Sequence, residues 1–160
     1  MPLTLDLLRH GAALAAAEGG DAARGLSPRG ARDLERLALH LAGLGWRPDR
    51  AFTSPLKRAR DSARIVLRHA APDLVPEVAD ALQPHGDPAP VLEMLADRHA
   101  TAGRVLLVSH QPLLGGLARW LTGREAPGIA PGDLVGVEFA GAVTAGAGTW
   151  GWKVRPADCG

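Results

Sequence analysis

Tyrosine is absent, aromatic residues make up only 4%, and cysteine occurs once, at Cys159 beside the C-terminus. A single thiol excludes an intramolecular disulfide and suits a reducing compartment. Charge of one sign is missing too: 18 Lys and Arg against 17 Asp and Glu leave a formal net charge of +1. No global field then draws the chain to nucleic acid or acidic lipid, and any anion site must come from local clustering. Long apolar runs are also lacking. Leu3 to Leu8 is interrupted by Asp6 and closed by Arg9 and His10, too short for the core of an export signal. Nothing nears the roughly 20 apolar residues of a membrane span. These absences predict a cytoplasmic protein with neither a membrane nor a nucleic-acid partner.

What is present is ordinary globular composition, 46% hydrophobic and 22% charged over 160 residues. That is enough chain to bury a core, and residues 1–160 are expected to form a single domain. The apolar run Leu3 to Leu8 predicts a buried strand in which Asp6 is a flaw. Ala12 to Leu26, Ala- and Gly-rich without a period, predicts a loop with at most one helical turn. Ser27-Pro28 then opens a helix carrying Leu34, Leu37, Leu41 and Leu44 on one stripe, closed at Gly45. Arg50 to Thr53 is a short second strand, and Ser54-Pro55 repeats the helix start. That second helix turns Leu56, Ala59, Ala63 and Val66 inward and leaves Lys57, Arg58, Arg60 and Arg64 elsewhere on its surface.

A third strand is expected over Leu74 to Val78 and a third helix from Asp87-Pro88. Arg104 to Ser109 is a near-continuous apolar run, the pattern of a strand buried on both faces. His110-Gln111-Pro112 opens a fourth helix, through Leu121 to a stop at Gly123, and two last strands cover Leu134 to Phe139 and Thr149 to Val154. Strands alternating with capped helices predict an α/β three-layer sandwich: a mostly parallel central sheet flanked by helices, with the last two strands as an edge hairpin. Ligands of such sheets bind beyond the carboxyl ends of the strands. His10, the stretch Ser54 to Arg58, and His110 each follow a strand and are therefore expected on one rim.

Each cluster suits phosphate chemistry. A neutral imidazole at His10 is a competent nucleophile toward phosphorus when its other nitrogen is held by an acceptor. Neighbouring cations favour the neutral form by repulsion and offset charge on phosphoryl oxygens. Gly11 would let the backbone approach a phosphate. Arg58 in the first turn of a helix makes an anion site together with exposed N–H groups, and His110 can donate to a phosphoryl oxygen. A lone strand-end histidine is more often a turn residue, a lone Arg58 mere solvation, and Ser27 only a cap. Conjunction on one rim favours the functional reading. His40, His69 and His99 are read as ordinary helical residues.

Leu8-Arg9-His10-Gly11, Thr53 to Ala59 and Val108-Ser109-His110 resemble, in order, the signature segments of the histidine phosphatase (phosphoglycerate mutase-like) superfamily. Leu26 to Gly30, Leu82 to Asp87 and the short chain are similar to the bacterial SixA-type phosphohistidine phosphatases. The resemblance implies a phosphohistidine intermediate on His10, with Arg9, Arg58 and His110 binding the phosphoryl group and stabilising its transition state. It implies neither a metal nor a cofactor.

Ester-cleaving relatives carry a carboxylic acid after the third strand, and Ala81 stands at the position where SixA-like relatives have a glutamate. Asp80, Asp87 or His85 remain candidate proton donors, and His85 is a candidate for substrate contact. An alkoxide needs a proton far more than imidazole, whose reference pKa is about 6.5. The missing acid and the absence of a substantial lid, Ala12 to Leu26 apart, favour a phosphohistidine-bearing protein such as a phosphotransfer domain as substrate. Two alternatives stay open: a phosphomonoesterase acting on small phosphoesters, and a module that binds phosphate without turnover.

Overall fold

Alternation along β1 (Leu3–Arg9) decides how the layers stack. Leu3, Leu5 and Leu7 point into one apolar cluster and Leu8 into another on the opposite face, so both faces must be covered. The computed structural model describes residues 2–160. In chain order, α1 (Pro28–Gly43), β2 (Arg50–Thr53), α2 (Lys57–Ala70), β3 (Glu77–Val78), α3 (Pro88–Asp97), β4 (Gly103–Ser109), α4 (Leu113–Thr122), β5 (Leu134–Phe139) and β6 (Thr149–Val154) follow.

The six strands form one sheet in the order β3-β2-β4-β1-β5-β6. The first four are parallel, and β5 and β6 join antiparallel, as the hairpin pattern predicts. Leu34, Leu37, Leu41, Ala59, Ala63 and Val66 of α1 and α2 pack on Leu8, Leu106 and Val108. Val91, Leu95, Leu114, Leu117 and Leu121 of α3 and α4 pack on Leu5, Leu7, Val105 and Leu107. The result is the expected three-layer sandwich. Right-handed crossovers account for it: moving outward from β1 to β2 to β3 puts both connecting helices on one face, and returning to β4 puts α3 on the other. The two central strands, β1 and β4, lie side by side in register, with Arg9 opposite Ser109. That reversal is the switch point at which an open α/β sheet leaves a crevice.

Asp6 is no defect in its strand. Fully buried, its carboxylate accepts from the indole N–H groups of Trp46 (2.7 Å) and Trp152 (3.0 Å) and from Arg104. Strands β1, β4 and β6 and the loop after α1 meet at this carboxylate, and both indole donors are satisfied.

Several boundaries differ from the sequence pattern. The third strand spans two residues rather than Leu74 to Val78, because its sole partner β2 is short and Pro76 has no N–H to offer. Ser27 caps α1 as expected, accepting from the Gly30 amide at 3.0 Å. Ser54 does not cap α2. The chain bends at Pro55 and Leu56, Leu56 itself takes the extended N-cap conformation, and α2 begins at Lys57. His99 lies beyond α3 in a left-handed conformation (φ 53°), where its amide and that of Ala100 close the helix end on Ala96 and Leu95. The Ala12 to Leu26 loop contains a single 3₁₀ turn, Asp21–Ala23, and is pinned at its ends by an Ala13–Leu26 bridge. No helix among the described residues is long and apolar enough to cross a membrane.

Candidate active site

His10 and His110 begin the turns at the carboxyl ends of β1 and β4, and the register of those strands brings them together. The His10 amide donates to the Ser109 carbonyl (3.0 Å), and the two imidazole rings lie with centroids 4.9 Å apart, tilted by 53°. Both are buried, at 8% and 1% exposure.

The His10 Nδ1–H donates to the Gly11 carbonyl at 2.7 Å, which leaves the lone pair on Nε2. Burial pushes its pKa down to about 4; the Gly11 bond opposes this, and the charges of Arg58, Arg9 and Arg24 add to it. The imidazole is therefore neutral at neutral pH. His110 is pushed down to about 3, by burial first and then by His10, Arg58 and Arg9, against a smaller opposing effect of Asp21. Its Nε2 lies 2.7 Å from the Ser54 hydroxyl. Ser54 Oγ already accepts from the Leu56 amide (3.2 Å), and its own proton has no other acceptor, so it donates into Nε2. That assignment leaves the His110 proton on Nδ1, where no acceptor meets it.

The two arginines come from different elements, the end of β1 and the first turn of α2. Arg9, at the end of β1, gives one terminal N–H to the Ile129 carbonyl (2.9 Å), while its Nε is buried without a partner. The loop above it is fixed by Gly132, whose amide reaches both the Arg9 and His10 carbonyls from a left-handed turn (φ 85°). Burial lowers the Arg9 pKa and Asp133 raises it. Arg58 is 4% exposed rather than spread on the surface of α2. Its terminal nitrogens are held by Asp21, one on the carbonyl at 3.0 Å and one on the carboxylate at 3.3 Å, and its Nε is buried and unpartnered.

The model for the histidine phosphatase superfamily (branch 1) matches residues 5–83, and over 97% of this chain and 98% of its own the fold superposes on the protein histidine phosphatase SixA complexed with tungstate, at TM-score 0.85 and 27% identity. Sequence and fold both match the histidine phosphatase superfamily. SixA from Agrobacterium tumefaciens shares the fold at TM-score 0.81 over 98% of this chain and 99% of its own, with 23% identity. A 2,3-bisphosphoglycerate-dependent phosphoglycerate mutase from Thermobifida fusca is 43% identical over 76 residues. That stretch is 46% of this chain and 31% of the mutase, so the likeness spans about a third of that relative's length.

Other residues of this chain stand differently from the sequence expectation. Gly11 does not turn a free amide toward a ligand: its N–H donates to Ser62 Oγ (3.0 Å), which itself donates to the Arg58 carbonyl (2.6 Å). Glycine is needed there because a Cβ would come within 2.7 Å of the Leu34 side chain on α1. His85 is exposed in the turn after the Asp80–Leu82 3₁₀ turn, with no hydrogen bond to the histidine pair. Asp80 and Asp87 are exposed as well, Asp87 preceding α3, and neither carboxylate contacts His10 or His110. The segment nonetheless borders the site, because Ser109 donates to the Leu82 carbonyl (2.6 Å) and the Leu113 amide to that of Pro84 (3.2 Å).

Sequence reasoning missed Asp21, Ser54 as the partner of His110, and Ser62. Only a conserved spacing to Arg58 or His110 across many chains would have singled them out. Among the described residues no three His, Cys, Asp or Glu side chains gather as a metal-ligand set.

Proposed function

We propose that this protein is a phosphohistidine phosphatase that passes the phosphoryl group through His10. One observation carries the reading. Arg9 Nε, Arg58 Nε and His110 Nδ1 are the buried side-chain polar atoms left without a partner among the described residues, and they come from the three segments that meet at the His10 rim. A buried donor left unpaired costs about 1–3 kcal/mol, so three of them in one place speak for an anion that completes the set. Tungstate, the ligand of the SixA structure, is an oxyanion of the kind such donors suit.

His10 Nε2 is the group with a free lone pair facing this set. Its attack forms an N–P bond as the substrate's P–N bond breaks, and the departing imidazole takes its proton from water. Arg9, Arg58 and His110 hold the three phosphoryl oxygens, where negative charge concentrates in the transition state. Water then attacks phosphorus, the P–Nε2 bond breaks, and orthophosphate leaves as the water releases its proton to solvent. Neutral His10 is the form required in the first step, and its lowered pKa supplies it.

No carboxyl group hydrogen-bonds the histidine pair, and the nearby Asp21 is held ionised by Arg24 and Arg58 rather than as an acid. This supports phosphohistidine over phosphate esters, since imidazole departs without the strong acid that an alkoxide needs. The test is to react the enzyme with a phosphohistidine peptide, quench in alkali and map the acid-labile phosphoryl group. It is expected on His10, with faster loading than from sugar phosphates. Preferential loading from sugar phosphates would instead make the protein a small-molecule phosphomonoesterase. Failure to release phosphate from any substrate, an aryl phosphate included, would leave a binding module.

A further inference from the structure

We propose that the groove between α2 and the β3 edge of the sheet docks an acidic, partly apolar segment of the phosphorylated partner protein. This rests on the phosphohistidine reading above and adds the surface by which the partner is held.

Arg60, Arg64 and Arg68 recur every four residues along α2 and so lie on one stripe of the helix. They line a groove of about 400 Å³ whose other wall includes Val75 and Val78. Those two valines are 83% and 52% exposed, among the few large apolar side chains left open to solvent. No carboxylate lines the groove. Glu77, which stands between the valines, accepts instead from Arg98 and lies 4.0 Å from Arg50. Arg64 has Asp61 and Arg68 has Glu35 as intramolecular partners, whereas Arg60 has no ion pair among the described residues.

The chain as a whole is near neutral, so this concentration of guanidinium is local. Thr53, which precedes the Ser54 that contacts His110, is among the residues lining the groove. A partner whose phosphorylated imidazole reaches His10 can lay a neighbouring segment here, its carboxylates on the arginines and its apolar side chains on Val75 and Val78. An interface of this kind selects by charge complementarity.

The test compares wild type with the double variant Arg60→Glu, Val75→Asp on two substrates. One is an acidic histidine-containing phosphotransfer domain phosphorylated with phosphoramidate; the other is free phosphohistidine. The expected result is a KM for the phosphorylated domain raised about tenfold, with kcat/KM for free phosphohistidine changed by less than about twofold. An unchanged KM for the domain overturns the docking surface, and so do equal losses on both substrates. A wild-type dimer in sedimentation that Val75→Asp converts to monomer assigns the groove to a second copy of this chain and overturns it as well. Wild type that turns over an aryl phosphate but neither phosphohistidine substrate defeats the functional reading, and the docking surface with it.

Discussion

Strand β1 and the turn that follows it carry two polar centres three or four residues apart, Asp6 within the strand and Arg9-His10 at its end, and they are solved in opposite ways. At Asp6 both carboxylate oxygens are taken up, by two indoles and a guanidinium. At the rim, Arg9 Nε, Arg58 Nε and His110 Nδ1 are buried and empty-handed. A closed network specifies a fold, because every member has its partner within the chain. An open one has left its partner outside. The difference between them, rather than burial or charge alone, separates a structural polar cluster from a site.

Reciprocal substitutions should break the two centres in different currencies. Replacing His10 by Ala is expected to cut turnover at least about a thousandfold. Its unfolding midpoint in urea should stay at or above that of wild type. Asp6→Ala should do the reverse, removing about 3 kcal/mol of stability by stranding two indole N–H groups and a guanidinium. At a temperature where that variant stays folded, its kcat should be retained. Loss of kcat in folded Asp6→Ala would erase the distinction.

Acid should weaken the rim. His10 and His110 are held to pKa values of about 4 and 3 in the folded protein, but bind protons near pH 6.5 once unfolded. Between about pH 6.5 and 4 the unfolded chain therefore takes up more protons than the native one, and stability falls as pH falls. Urea titrations over that range should show it, with a shallower slope in His10→Ala. Direct NMR titration of the His10 ring should give a midpoint well below 6.5, and a midpoint near 6.5 would contradict the burial argument. The smallest effect is expected at Asp21, whose carboxylate shares Arg58 with the incoming anion and is largely exposed. Asp21→Asn should tighten inorganic phosphate binding only about threefold, as calorimetry would read it, because solvent screens that charge.

Much of the fold could be read from the residues. Alternation in Leu3 to Leu8, the unbroken run to Ser109, the cap at Ser27 and the stop at Gly123 each reflect short-range preferences that the tertiary structure left standing. The expectation failed where distant groups overrode local ones. Ser54-Pro55 has the look of a helix start, yet the serine oxygen is engaged by His110, 56 residues away, and α2 waits until Lys57. Leu74 to Val78 has strand composition, but a strand forms only where a partner offers a ladder, and β2 offers two residues. Gly11 was expected to let the backbone approach a phosphate; its amide is spent on Ser62, and a Cβ there would crowd Leu34.

From sequence alone, the order of elements, the burial of β1, the two-sided burial of β4, and the emergence of His10 and His110 at strand ends were determined, because periodicity and turn chemistry act over a few residues. Pairing β1 beside β4 in register, turning Arg58 inward under Asp21, and leaving three donors without partners were decided only in three dimensions. Those outcomes depend on which groups remain after every other buried hydrogen bond has been made, and that is a property of the whole packed chain.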